Sequence, residues 1–168
     1  MKPAAEFSRP VALDQITERQ RTIEISADAA ERQALAERFG LLGLDRLEAT
    51  VRLSRSGVFY RVDADWQADV TQACVVTLEP VASRLAERMI ERYGPTEADE
   101  TELDLDPEAD TPEAIEGNSI DIGEAVAQAM SLALDPYPRK PEATVAIPEE
   151  NEAKDGPFVG LSKLKRGS

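Results

Sequence analysis

The 168-residue chain contains no histidine, one cysteine and only eight aromatic side chains. Each shortage removes a class of chemistry. Without histidine there is no Ser-His-Asp or Cys-His nucleophile and no His-ligated metal centre. Carboxylate or lysine chemistry remains, but no glycine-rich phosphate loop and no convergent nucleophile organises it. We therefore read the chain as non-enzymatic, with no catalytic residue and no cofactor. A single cysteine allows no internal disulfide, which suits a reducing cytoplasm. No stretch approaches the roughly 20 apolar residues of a membrane span. The opening "MKPAAEFSRP" has no apolar signal core. The expectation is a cytoplasmic protein with no membrane role.

Basic residues are also scarce. There are 33 acids against 19 bases, a formal net charge of -14. Residues 95–116 ("PTEADETELDLDPEADTPEAIE") hold ten of the acids and no base; elsewhere 23 acids face 19 bases. Counterion release on nucleic acid needs clustered Lys and Arg, so a broad phosphate-binding face is not expected. Basic proteins are the more natural direct partners. The acidic stretch has three prolines and few large apolar residues, and it reads as a flexible insert at about 95–118, too polar to bury. It lacks the glycine and closing glutamate of a calcium loop. It is either a solvated linker or a partner-binding arm.

What is present is strong alternation. "FSRPVAL" and "RTIEIS" are candidate strands within residues 7–26. In "SADAAERQALAERFG", Ser26 is a candidate cap, Asp28 sits in the first turn, Arg38 in the last, and Gly40 ends a helix over 27–39. Leu47, Ala49, Val51 and Leu53 share one face of a strand. After a turn at "SRSG" (54–57), Val58, Tyr60, Val62, Ala64, Trp66, Ala68 and Val70 share one face of the next. The pattern predicts a long antiparallel hairpin with one buried and one wet face. A bend or bulge near 69–72 is expected because about 20 residues is long for one strand. The same parity continues to Cys74, Val76 and Leu78. In "IDIGEAVAQAMSLALDPYP", Asp121 and Glu124 have capping-box spacing, and Asp135–Pro136 stops a helix over 122–134. Residues 80–94 read two ways. Val81, Leu85 and Met89 recur every four positions, which fits a helix or a strand; composition favours helix. The fold class is α+β, a mostly antiparallel sheet with two main helices. We expect a single domain over 1–141 and a loose tail over 142–168 that ends in a basic amphipathic motif.

Three local features carry possible chemistry. Cys74 is a working thiol, a packed core residue or the remnant of a metal knuckle. Packing is the plainest reading, since the next basic residue in sequence is Arg84. In "DPYPRKP" (135–141), Tyr137 beside Arg139 and Lys140 suits stacking on a base with phosphate contact, or simple packing on the sheet. In the closing "PFVGLSKLKR", Phe158 with Lys163, Lys165 and Arg166 forms a short amphipathic segment that docks on a partner or on the domain itself.

The marks "CVVTLEPV", the acidic insert, "IDIGEAVAQAMSLALDPYPRKP" and the closing "PFVGLSKLK", in that order, resemble the YceD family of large ribosomal RNA subunit accumulation proteins. The resemblance covers about 44–141 and the last ten residues. Many members carry a Cys-x-x-Cys pair at the end of the long strand and a second cysteine cluster after the late helix, as in a zinc ribbon. Here Cys74 matches the first cysteine, Thr77 stands at the second, and "DPYPRKP" stands where the later pair lies. The resemblance makes Cys74 the remnant of a zinc knuckle and implies no metal. It favours an extended conformation at 80–94. It also implies a non-enzymatic role in accumulation or processing of 23S rRNA. The partner is then a ribosomal protein or a pre-50S particle, with rRNA touched directly or indirectly. Direct RNA binding through Tyr137, Arg139, Lys140 and the basic C-terminal segment is the alternative. The oligomeric state stays open.

Overall fold

In a computed structural model, residues 5–95, 112–115 and 117–144 are described. Strands β1 (Pro10–Ala12), β2 (Arg21–Ser26), β3 (Gly43–Ser56), β4 (Phe59–Ala73), β5 (Pro80–Gly94), β6 (Glu113–Ala114) and β7 (Ser119–Asp121) accompany helices α1 (Ala29–Phe39) and α2 (Ile122–Leu132). The main sheet has the order β2-β3-β4-β5-β6. It is antiparallel throughout except for the short parallel pairing of β6 with β5. β1 and β7 form a separate antiparallel pair. The α+β class and the mostly antiparallel sheet are as the alternation implied.

The hairpin β3–β4 follows the expected faces. Leu47, Ala49, Val51 and Leu53 are buried, as are Val62, Ala64, Trp66, Ala68 and Val70. The turn is tighter than "SRSG" suggests: β3 runs through Ser56, which pairs with Phe59. Only Gly57 and Val58 lie between, and Gly57 has φ +60, the first-position requirement of a II′ hairpin. The expected irregularity near 69–72 exists but sits on the opposite strand. Register shifts between Leu44 and Arg46, facing Val70 and Asp69, so Asp45 is the bulge residue.

Helix α1 begins later than expected. Ser26 ends β2, and the cap is Asp28. The Asp28 carboxylate accepts from the Glu31 N–H at 2.9 Å, and the Glu31 carboxylate accepts from the Asp28 N–H at 2.8 Å. That reciprocal box outcompetes a serine two residues upstream. Gly40 terminates the helix at φ +65 as predicted. Helix α2 begins where expected, with Asp121 accepting from Gly123 and Glu124 N–H at 3.1 Å each. It ends at Leu132 rather than 134. The helices cover one sheet face, and Leu35, Ile122, Val126 and Met130 join the strand core. Arg38 ties the helices together, donating to Glu124 at 2.7 and 2.9 Å and to Glu6 at 2.9 Å.

Residues 80–94 form a strand, against their helical composition. β5 pairs with β4 residue by residue, from Tyr93 opposite Tyr60 to Pro80 opposite Ala73. Gly94 lies under the Phe59 ring, where a Cβ would come within 2.5 Å of Cδ1. β6 covers only Tyr93 and Gly94. Among the described residues, the rest of β5 is an open edge. Arg84, Arg88 and Arg92 share its outer face, while Glu87 and Glu91 share the core side. This follows from their opposites Asp69, Asp65 and Arg61 on one hand, and Trp66 and Val62 on the other. Part of the expected insert is also ordered: Glu113–Ala114 is β6, and Asn118 accepts from the Leu13 N–H at 3.1 Å. Residues 96–111 and 145–168 lie outside the described residues, and with them Phe158, Lys163, Lys165 and Arg166.

Candidate functional site

The continuation of strand parity through Val76 and Leu78 fails at the end of β4. The strand stops at Ala73, residues 75–77 turn, and Leu78 takes φ +62. The turn is closed by Cys74 N–H to the Glu79 carbonyl at 2.8 Å and Leu78 N–H to the Cys74 carbonyl at 2.9 Å. It swings Thr77 back toward Cys74. The segment after α2 then packs alongside: the Val75 N–H donates to the Pro138 carbonyl at 2.9 Å, and the Gln72 side chain donates to the Asp135 carbonyl at 2.9 Å. "CVVTLEPV" and "DPYPRKP", some 60 residues apart in sequence, therefore meet at one end of the sheet.

Cys74 is fully buried. Its sulfur faces the Thr77 hydroxyl, then the backbone N–H groups of Lys140, Thr77 and Val76. These donors favour the thiolate and hold the thiol down at about 6, against an ordinary 9.0. Thr77 supplies the first of them. Among the described residues no group of three His, Cys, Asp or Glu side chains is placed to hold a metal ion. One thiolate and a hydroxyl do not make the three or four ligands that zinc needs.

The candidate residues at this end divide. Tyr137 is 72% exposed, so it does not pack onto the sheet. Arg139 is exposed and has no ion pair among the described residues. Lys140 is engaged: its Nζ binds Glu79 at 3.0 Å, and that contact keeps the Glu79 carboxyl below its usual range.

The second feature is the sheet's outer face, which the alternation predicts as the wet face of the hairpin but from which it singles out no site residue. There Arg46 binds Asp69 at 3.0 Å and Glu48 at 3.2 Å. Arg52 reaches Asp63 and Asp65, and Arg88 closes on Asp63. Arg84 binds Asp69 at 2.8 Å, and Arg92 lies over the Phe59 ring at 4.7 Å. The Asp63 carboxyl is held low by the hydrogen bond from Arg88 and the surrounding arginine charge. Beside this lattice, toward β2, lies an open hollow of about 520 Å³ lined by Glu24, Ser26, Glu48, Thr50, Asp65 and Gln67, with no basic side chain in its lining. The alternating Asp and Arg of "RVDADWQAD" and "EATVRLSR" signalled a wet face, but not which charges neutralise one another.

A model of the family described as large ribosomal RNA subunit accumulation protein YceD matches residues 62–165. No curated protein and no solved structure matches the chain. The match runs from β4 through β5, the acidic stretch, α2 and the tail, so it contains both halves of the Cys74 turn. With more than half of its length matched, this chain belongs to the YceD family.

Proposed function

We propose that the protein assists accumulation of large-subunit ribosomal RNA as a cytoplasmic, non-enzymatic binding factor. It does so by engaging a basic ribosomal protein or pre-50S particle. The family description supplies the process. The outer face supplies the partner's chemistry. Its Arg46, Arg52, Arg84 and Arg88 are spent on Asp63, Asp65, Asp69 and Glu48, so they are poor phosphate ligands. The neighbouring hollow is lined by Glu24, which has no ion pair among the described residues, together with Glu48 and Asp65, whose carboxylates are shared with Arg46 and Arg52, and it is open to a lysine or arginine from outside. That hollow is the observation that carries the reading.

The test is a pull-down of the full chain from growing cells, with RNA and protein both identified. Wild type is expected to retain a basic ribosomal protein after nuclease treatment. Glu24→Lys with Glu48→Lys is expected to lose it. Recovery of rRNA alone, unchanged in that double variant and in a chain lacking 95–116, overturns the reading.

Direct RNA contact has one observation in its favour, the exposed Tyr137 ring near Arg139, which has no ion pair among the described residues. On that reading, Tyr137→Ala with Arg139→Ala weakens RNA binding and flattens its salt dependence.

A further inference from the structure

Seven large apolar side chains stand exposed among the described residues. Val58 is at the hairpin tip and Ile90 on the outer face. The other five, Leu42, Val75, Leu78, Leu132 and Tyr137, gather at the Cys74 end. Leu42 donates its N–H to the Thr71 carbonyl at 2.8 Å, Val75 bonds Pro138, and Leu132 ends the helix whose exit is pinned to Gln72. Leu78 is 76% exposed and left-handed. Asparagine or glycine fits that conformation at lower cost, so the turn itself gives no reason for leucine. Exposed apolar side chains gathered at one end of a fold mark a docking surface.

We propose that this patch is covered by the chain's own C-terminal segment, residues 158–166. The described chain ends beside it. The Ala143 N–H folds back onto the Lys140 carbonyl at 3.0 Å, and Lys140 is tied to Glu79, next to Leu78. Thirteen residues then lead to Phe158. At about 3.3–3.6 Å each they span roughly 45 Å, ample for a return to the patch. A tether of that length holds the segment at an effective concentration in the millimolar range, so modest contacts suffice. The chemistry also matches. Phe158, Val159, Leu161 and Leu164 offer apolar surface, and Lys163, Lys165 and Arg166 offer positive charge. Glu79 adjoins Leu78 in the turn, and Asp135 accepts from the Tyr137 N–H at 2.9 Å. Docking covers Tyr137, so a partner that uses that end must first displace the segment. The inference stands independently of which partner the outer face takes.

The test reads backbone amide resonances of the isolated full-length protein at two concentrations. Two variants probe the contact from opposite sides. Phe158→Asp with Leu161→Asp disrupts the segment. Leu78→Asp alters the patch at an exposed position where aspartate tolerates a left-handed backbone. The segment variant is expected to move the signals of Leu42, Val75, Leu78 and Tyr137. Leu78→Asp is expected to move those of 158–164, and neither effect is expected to depend on concentration. The inference is overturned if either variant leaves the opposite set unmoved. It is also overturned if the patch signals shift on dilution, which would assign the patch to a second copy.

Discussion

Gly123 shows how one missing side chain can position a whole segment. A Cβ there would overlap the Phe7 carbonyl oxygen and crowd the Arg9 N–H. The N-terminal segment runs against the first turn of α2 only because position 123 is bare. Arg9 then reaches Glu31 at 2.7 Å and stacks over Phe7 at 4.6 Å. Gly123→Ala is expected to cost about 1–3 kcal/mol through overpacking, read as a lower urea midpoint with an unchanged slope. Thr77 makes a different kind of single-residue test. It is the leading cause of the low Cys74 thiol, so Thr77→Val should move that thiol upward, followed as thiolate absorbance against pH. The sign for stability follows from linkage. A depressed folded pKa contributes stability that is full above 9.0 and fades as pH falls to about 6. The variant should therefore lose stability relative to wild type at pH 9 and match it near pH 6. Neither role was open to sequence reading. Cys74, Thr77 and Lys140 were each visible as residues, but the left-handed turn at Leu78 that brings them together leaves no signature in a leucine codon.

At the scale of elements, legibility depended on whether the signal was local. The two helices and the β3–β4 hairpin carry their periods, caps and turn glycine within a few residues, and all three were readable in outline. β5 is the counter-example. Its Ala, Arg, Glu, Leu and Met composition favours helix. A four-residue apolar spacing also satisfies a two-residue period, so Leu85 and Met89 serve a strand equally well. Pairing with β4 decided the matter, and that partner lies across a turn that the residues do not advertise. Asp63 is the hinge of this cross-strand arrangement, 8% exposed and shared by Arg52 and Arg88. Asp63→Asn is expected to cost about 1–2 kcal/mol at neutral pH. That is the lower end for charge-assisted hydrogen bonds, because Arg88 is largely solvated. A carboxyl held below its ordinary 3.8 stabilises above that value and stops doing so as pH falls through its folded value. The gap between variant and wild type should close on acidification, by thermal melts from pH 7 down to pH 3. Glu91 behaves in the opposite sense. Burial raises it despite the hydrogen bond from Tyr93, so its cost appears as pH climbs above 4.5. Glu91→Gln should stabilise at pH 7 and do nothing at pH 4.

For the whole molecule, the excess of negative charge governs what can approach. Ten of the acids lie in residues 95–116, mostly beyond the described residues, and the folded body balances most of its arginines internally. A cationic protein is drawn to such a particle at a distance, and that attraction is screened beyond about 8 Å at physiological salt. Capture of a basic partner should therefore fall severalfold between low and high salt, measured by association rate more than by dissociation rate. The acidic composition pointed toward a cationic partner, as proposed above; the hollow around Glu24, Glu48 and Asp65 required the sheet.

The margin of β5 that is open among the described residues bears on what the protein does in a crowded solution. Residues facing each other across antiparallel strands sit on the same side of the sheet. If two copies joined antiparallel through this margin, like charges would share each side of the sheet, with guanidinium facing guanidinium in one set of alignments and carboxylate facing carboxylate in the other. The segregation of Arg84, Arg88 and Arg92 from Glu87 and Glu91 thus works as a safeguard against fibre growth, at a position where the backbone alone would invite it.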